Sequence, residues 1–186
     1  MVVGHGRGAF LTICGQRSEP AAISSLVRHG SGLVFAALEP KRLGKLQIPT
    51  MPTDHDSRCP DVHVAVDASS GISAADRART IRALAAATSI PTDFVRPGHV
   101  VPVHARLSPS GASTDADIAL MLASLTGMTP PAAAFCALIS RARPTEIATP
   151  AEAADVAANL GLAYVDAHDV TTSLYRHWCD NAPTSH

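Results

Sequence analysis

Three glycine-punctuated segments hold the side chains best suited to proton chemistry: Arg28-His29-Gly30-Ser31-Gly32, Ser69-Ser70-Gly71-Ile72-Ser73-Ala74-Ala75-Asp76-Arg77 and Arg96-Pro97-Gly98-His99-Val100. An imidazole close to a guanidinium, as in the first and third, can donate, accept and position a proton near neutral pH. A helix opening at Ser73 offers backbone N–H groups to an anion. Each residue also has a plainer use. His99 suits a hydrogen bond within the turn after Pro97, and His29 a turn at Gly30 to Gly32. Asp76 and Arg77 suit a cap and a solvated helix pair. Ser113 and Thr114 suit caps of the helix that Asp115 begins.

Other chemistries find little support. There is no Gly-x-Ser-x-Gly elbow, phosphate-binding loop or dinucleotide fingerprint. His29-Gly30-Ser31-Gly32 has the look of a serine nucleophile, yet no base is paired with it by sequence. The nine histidines, at 5, 29, 55, 63, 99, 104, 168, 177 and 186, show no ligand spacing beyond His99/His104. Cys14, Cys59, Cys136 and Cys179 are widely separated, which predicts free thiols in a reducing compartment.

The elements that must position these residues follow from periodicity and caps. Buried strands are predicted at Ala9 to Cys14, Leu33 to Leu38, Val100 to Val103, Ala132 to Ile139 and Ala163 to Val165. Val62 to Val66 alternates, with His63 on the face opposite Val62, Val64 and Val66. Helices are predicted at Ala21 to Val27, Pro40 to Leu46, Ser73 to Ala87, Thr114 to Leu125, Pro150 to Leu160 and from Asp169 onward. Ser73 caps the third of these, with Asp76 at N3 returning the bond. Pro49 to Pro60 reads as a loop and Asn181 to His186 as a frayed tail. The expected fold is an α/β sandwich: a mixed sheet with helices on both faces.

At 186 residues, 1–186 reads as one domain, with no internal repeat or linker. Apolar residues make up 46 % but aromatics only 4 %, so Ala, Val, Leu and Ile must build the core. Small side chains bury little area each, and such a chain gains from oligomerisation. The 15 basic and 16 acidic residues are scattered, which gives no electrostatic case for nucleic acid. No signal peptide or membrane-length apolar run is seen, so a cytoplasmic, soluble protein is expected.

Ser-Ala-Ala-Asp-Arg at Ser73 to Arg77 and Arg-Pro-Gly-His-Val at Arg96 to Val100, following Arg28 to Gly32 in that order, resemble the 3,4-dihydroxy-2-butanone 4-phosphate synthase family. The resemblance runs from about Gly6 to the closing helix, with weaker similarity at Asp117 to Met121. It implies that family's fold, and a homodimer with active sites near the interface. It also implies a magnesium-dependent reaction that enolises ribulose 5-phosphate, rearranges its carbon skeleton and expels formate. By the same resemblance His99 falls on a catalytic histidine. Arg28, His29 and Ser31 fall on the segment after the first long helix, and Ser69, Ser70 and Asp76 near the substrate.

The family's metal and acid–base groups find poor matches. Its acidic loop after the first strand, Arg-Glu-Asn-Glu-Gly-Asp, aligns here with Cys14-Gly15-Gln16-Arg17-Ser18. Its Arg-Gly-Gly-His-Thr-Glu element aligns with Ser110-Gly111-Ala112-Ser113-Thr114-Asp115, so Ser110 and Ser113 replace the phosphate-contacting arginine and the metal-binding histidine. Its later glutamate aligns with Ala137. The expectation is therefore a metal-independent enzyme of a specialised biosynthetic pathway, with no cofactor unless the parental activity brings magnesium. It would perform dehydration, isomerisation, cyclisation or rearrangement on a small anionic or carbonyl compound. His99 is its proton shuttle, Arg28 and Arg96 hold negative charge, and His29, Ser31, Ser70, Asp76, Ser113 and Thr114 position the substrate. Two alternatives stay open: an inactive binding or regulatory module, and, least favoured, the authentic synthase.

Overall fold

The computed structural model describes residues 1–6, 8–52, 62–69, 71–108 and 114–181. Seven strands are present: β1 Val2–His5, β2 Gly8–Cys14, β3 Phe35–Leu38, β4 Val66–Asp67, β5 Val95–His104, β6 Ala132–Ala137 and β7 Tyr164–Asp166. They form one mixed sheet of order β4-β5-β3-β6-β2-β1-β7. Six α-helices accompany them: α1 Pro20–His29, α2 Pro40–Lys45, α3 Ala74–Ala85, α4 Asp115–Ser124, α5 Pro150–Leu160 and α6 Ala167–Asn181. The expected mixed sheet with helices on both faces is found.

Strand alternation sends side chains to two layers. Val3, Phe10, Ala37, Val103, Ala133 and Phe135 pack with α4 and α6. On the other face, Ala36, Leu38, Ala132 and Ala134 meet α1, α2 and α3, while Val2, Ala9 and Leu11 meet α5. Phe135 stacks on Phe35 (5.2 Å, 23°) and meets Phe10 edge-on (6.0 Å, 73°). These pairs add about 0.5–1.5 kcal/mol each beyond area burial.

Several expectations need correction. A strand, β1, precedes Ala9: Gly4 permits it, because a Cβ there would overlap the Tyr164 hydroxyl. Gly6, at φ +58°, then turns the chain into β2. Val62 to Val66 is not one strand. Val66 and Asp67 form the short strand β4, Val62 makes an isolated bridge to Val103 of β5, and the His63 side chain turns inward, 9 % exposed, with Nδ1 2.8 Å from the Ile48 carbonyl. β5 begins at Val95, five residues earlier than expected. Cys14 and Cys136 are free thiols. Cys59, most of Pro49 to Pro60 and residues 182–186 of the tail lie outside the described residues. No described helix is long and apolar enough to cross a membrane.

Helix starts carry reciprocal caps. Thr114 Oγ1 accepts from Asp117 N and Thr114 N donates to Asp117 Oδ2, both at 3.1 Å. At α5, Glu152 accepts from Ser140 Oγ (2.6 Å), Thr149 N (2.9 Å) and Thr149 Oγ1 (3.1 Å). The Ser140 hydroxyl foremost, then the Thr149 bonds, hold the Glu152 carboxyl below its ordinary pKa against an opposing desolvation effect. A depressed folded pKa means that this stabilisation is present above the unfolded value, about 4.3, and is lost as pH falls through the folded one. Glu152→Gln is therefore expected to lower Tm at pH 7, with the gap to wild type closing below about pH 4. Thermal unfolding across pH checks this; a constant gap would contradict it.

Candidate functional site

The clearest chemical grouping pairs His99 with Asp67. β4 lies antiparallel on the start of β5, Val66 opposite Val100 and Asp67 opposite Val95, with an irregular step between them. Gly98 sits in that step. A Cβ there would overlap the Val66 carbonyl carbon and the Asp67 nitrogen, so only glycine allows this approach. Asp67 is buried, and its carboxylate takes both of the donors His99 offers on that side. Oδ1 accepts the His99 backbone N–H at 2.9 Å, and Oδ2 lies 2.6 Å from Nδ1. The imidazole remains 44 % exposed. With the carboxylate ionised, Nδ1 carries the proton, leaving Nε2 to act as a base toward solvent or substrate.

The segment after Asp67 is tied down by Asp76. Its Oδ1 accepts from Ser69 Oγ (3.1 Å) and its Oδ2 from Ser73 Oγ (2.5 Å), while Asp76 N donates to Ser73 Oγ (3.1 Å). The Ser73 bond chiefly, with Ser69 and Arg79 in support, lowers the Asp76 pKa against desolvation. Arg77 links Ile72 O (2.9 Å) to Gly32 O (3.2 Å), joining the first two motifs. Asp76 is thus an organiser of the loop beside the dyad, with its oxygens already bonded within the chain. Ser70 lies outside the described residues.

The other expected residues separate. Arg96 donates through Nη2 to Leu46 O (3.0 Å) and Gln47 O (3.4 Å), and through Nη1 to Phe94 O (3.3 Å). Its guanidinium fastens the end of α2, a placement that does not offer it to a substrate anion. Arg28 and His29, at the end of α1, line a cavity of about 250 Å³ with Arg141. Ser31 N donates to Ala137 O at 2.8 Å, and Ser31 Oγ lies 3.4 Å from Cys136 Sγ. Thr114 serves the α4 cap, and Ser113 lies outside the described residues. Strand register puts these groups at one end of the sheet. Phe35 pairs with both Val101 and Phe135, and Phe10 with Ala137, so the start of β5, the start of β3 and the end of β6 coincide.

Asp67 was missed by sequence reasoning. Its only signal was a carboxylate closing an apolar alternation just before Ser69-Ser70-Gly71, which does not announce a partner 32 residues away.

A family model for 3,4-dihydroxy-2-butanone 4-phosphate synthase matches residues 5–173. The chain belongs to that family. It is 38 % identical over 126 residues to the 3,4-dihydroxy-2-butanone 4-phosphate synthase of Chromobacterium violaceum, covering 63 % of this chain and 59 % of that one. It is 35 % identical over 139 residues to a probable bifunctional riboflavin biosynthesis protein of Oryza sativa, covering 69 % of this chain. The chain spans only 25 % of the length of that bifunctional relative. A crystal structure of 3,4-dihydroxy-2-butanone 4-phosphate synthase with two magnesium ions superposes with TM-score 0.82 at 29 % identity, covering 95 % of this chain and 90 % of the other.

Membership raises the question of metal. The first strand is β1, not Ala9 to Cys14, so the counterpart of the family's acidic loop is the turn between His5 and Gly8. Cys14 pairs with Ala133 at the far end of β6, away from Ala137. The corrected turn brings no carboxylate of its own, for residues 6 and 7 are Gly and Arg. Beside it His5 Nδ1 lies 2.7 Å from Asp115 Oδ1, the two bonded to each other. Ala137 supplies no donor. Among the described residues no group of three or more His, Cys, Asp or Glu is placed to hold a metal ion. Magnesium is commonly held through one or two carboxylates with water filling its other positions, and the Asp115 carboxylate beside this turn is already bonded to His5.

Two outcomes follow from the dyad. Neutral His99 is expected as the Nδ1–H tautomer in wild type, shifting toward Nε2–H in Asp67→Ala, as read by long-range ¹⁵N NMR; an Nε2–H tautomer in wild type would contradict the pairing. Gly98→Ala is expected to cost about 1–3 kcal/mol through overpacking, measured by urea unfolding.

Proposed function

We propose that the chain is a metal-independent, cytoplasmic enzyme of a specialised biosynthetic pathway, acting on a small anionic or carbonyl metabolite by acid–base chemistry. The pairing of exposed His99 with buried Asp67 carries this reading. His99 Nε2 takes a proton from the carbon next to a carbonyl, and Asp67 stabilises the resulting imidazolium. The same nitrogen returns that proton to a neighbouring carbon or to a departing hydroxyl, giving isomerisation or dehydration. Arg28, at the same end of the sheet, supplies positive charge for an anionic substrate, and His29 beside it a hydrogen-bonding imidazole. The exposed apolar side chains Leu33, Ile72 and Val95 support a homodimer that closes over this end.

Incubation in D₂O with ribulose 5-phosphate and with a panel of hydroxycarbonyl and keto acids, with and without magnesium, separates the readings by ¹H NMR. Deuterium exchange without magnesium on a panel compound, reduced about 10²–10⁴-fold in His99→Ala, is the expected outcome. Magnesium-dependent formate release from ribulose 5-phosphate, lost in His99→Ala, would establish the parental reaction instead. Neither exchange nor formate would leave a binding module.

A further inference from the structure

A second cluster of donor atoms lies at the opposite end of the sheet from the dyad, around Cys14, which pairs with Ala133 near the start of β6. Three acceptors surround its sulfur: Gln16 Oε1 at 3.2 Å, Met128 Sδ at 3.7 Å and Thr126 Oγ1 at 3.8 Å. Each of them turns lone pairs toward Cys14. Gln16 Nε2 donates to Pro130 O at 2.6 Å and to Ala85 O at 3.3 Å, which fixes the amide with its oxygen on the sulfur side. The Thr126 hydroxyl donates to Ala123 O at 2.7 Å. A thioether has no hydrogen to give. One S–H therefore faces three acceptors and can serve only one.

A cation in place of that single proton meets all four atoms. Two sulfurs 3.7 Å apart are in ordinary contact, so the distance alone decides nothing, but with metal–sulfur bonds of about 2.3 Å it also subtends roughly 107° at an ion, close to tetrahedral. The chemistry of the donors selects the ion. Thiolate and thioether are soft ligands that suit copper(I), whereas structural zinc takes four ligands drawn from thiolate, imidazole and carboxylate. Cys14 brings one negative charge, which a monovalent ion neutralises. A cavity of about 330 Å³ lies beside the sulfur, its wall shared by Cys14, Thr126 and Arg17. It gives an ion a way in, and the Arg17 charge on that wall penalises a divalent one.

We infer that Cys14, Met128, Gln16 and Thr126 form a binding site for a soft monovalent metal ion, copper(I). The two sulfurs hold the ion and the two oxygens complete its shell. The Cys14 thiol gives up its proton to solvent as the ion binds, so one proton is released for each ion taken up. The site stands apart from the proton chemistry at His99, since Cys14 and Ala137 mark opposite ends of β6.

The test uses the full chain, reduced and under nitrogen, with Cys59→Ser and Cys179→Ser so that Cys14 and the buried Cys136 are the remaining thiols. Silver(I), a diamagnetic stand-in, is titrated while ¹H–¹³C spectra follow methyl-labelled methionine; copper(I) is titrated in competition with bicinchoninate. Silver(I) is expected to move the Met128 methyl saturably while the Met121 methyl stays in place, and Cys14→Ser to abolish that response. Met128→Leu, a volume-conserving change, is expected to raise the copper(I) Kd at least about tenfold, the scale on which even outer-shell changes tell. If circular dichroism shows Cys14→Ser unfolded, Met128→Leu decides alone. An unmoved Met128 methyl, an unchanged Kd in Met128→Leu, which would mean binding by a bare thiol, or an equal response to zinc(II) would each overturn the assignment.

Discussion

Strand β6 must be covered by helices on both faces, and everything else is arranged around how thin it is. Ala132 and Ala134 face the layer of α1 and α3, while Ala133 faces α4. Helices settle close onto such a strand because there is little side chain to hold them off. Gly15 shows the limit: a Cβ there would stand 3.0 Å from the methyls of both Ala132 and Ala85. Small residues bury little area apiece, so this closeness has to be matched by good contact, and Phe135 supplies the bulk at the opposite end of the strand. β6 also pairs with both β2 and β3. Its register therefore sets which loops meet at each end of the sheet.

Charge is handled differently at those two ends. At one, a buried carboxylate is placed first and an exposed imidazole is mounted on it. The order matters, because Asp67 fixes both the backbone and the ring of His99, leaving only the outer nitrogen for work. At the other, the buried guanidinium of Arg42 in α2 bonds the carbonyls of Ala83, Leu84 and Ala86 and so fastens α2 to the end of α3. A charge inside a protein is tolerated only when partners satisfy it: the Asp67 carboxylate is met by two donors of a residue that stays exposed, the Arg42 guanidinium by the carbonyls of a helix end.

Much of the scaffold was legible in the sequence because its signals are local. Ser73 and Thr114 each precede an acidic residue at N3 and each opens a helix as expected, and the structure shows Thr149 doing the same for the helix expected from Pro150. The buried strands β2, β3 and β6 announced themselves as apolar runs. β1 was hidden because Gly4, Gly6 and Gly8 resemble a breaker, whereas they meet the needs of close approach and a tight turn. That omission displaced the counterpart of the acidic loop to the wrong end of the sheet. His99 was legible through its motif, but Asp67 was not, since their contact exists only once β4 lies on β5. Arg96 illustrates the reverse: adjacent in sequence to a chemical motif, its side chain is claimed by carbonyls that only the fold brings near.

The outermost strands of the sheet, β4 and β7, are two and three residues long. A foreign strand approaching either margin finds too few main-chain groups to build a continuous ladder. Assembly by sheet extension, whether into an ordered oligomer or a fibril, is thereby disfavoured. Any self-association would then fall to surfaces of side chains, where a handful of substitutions can tune or abolish it without disturbing the backbone.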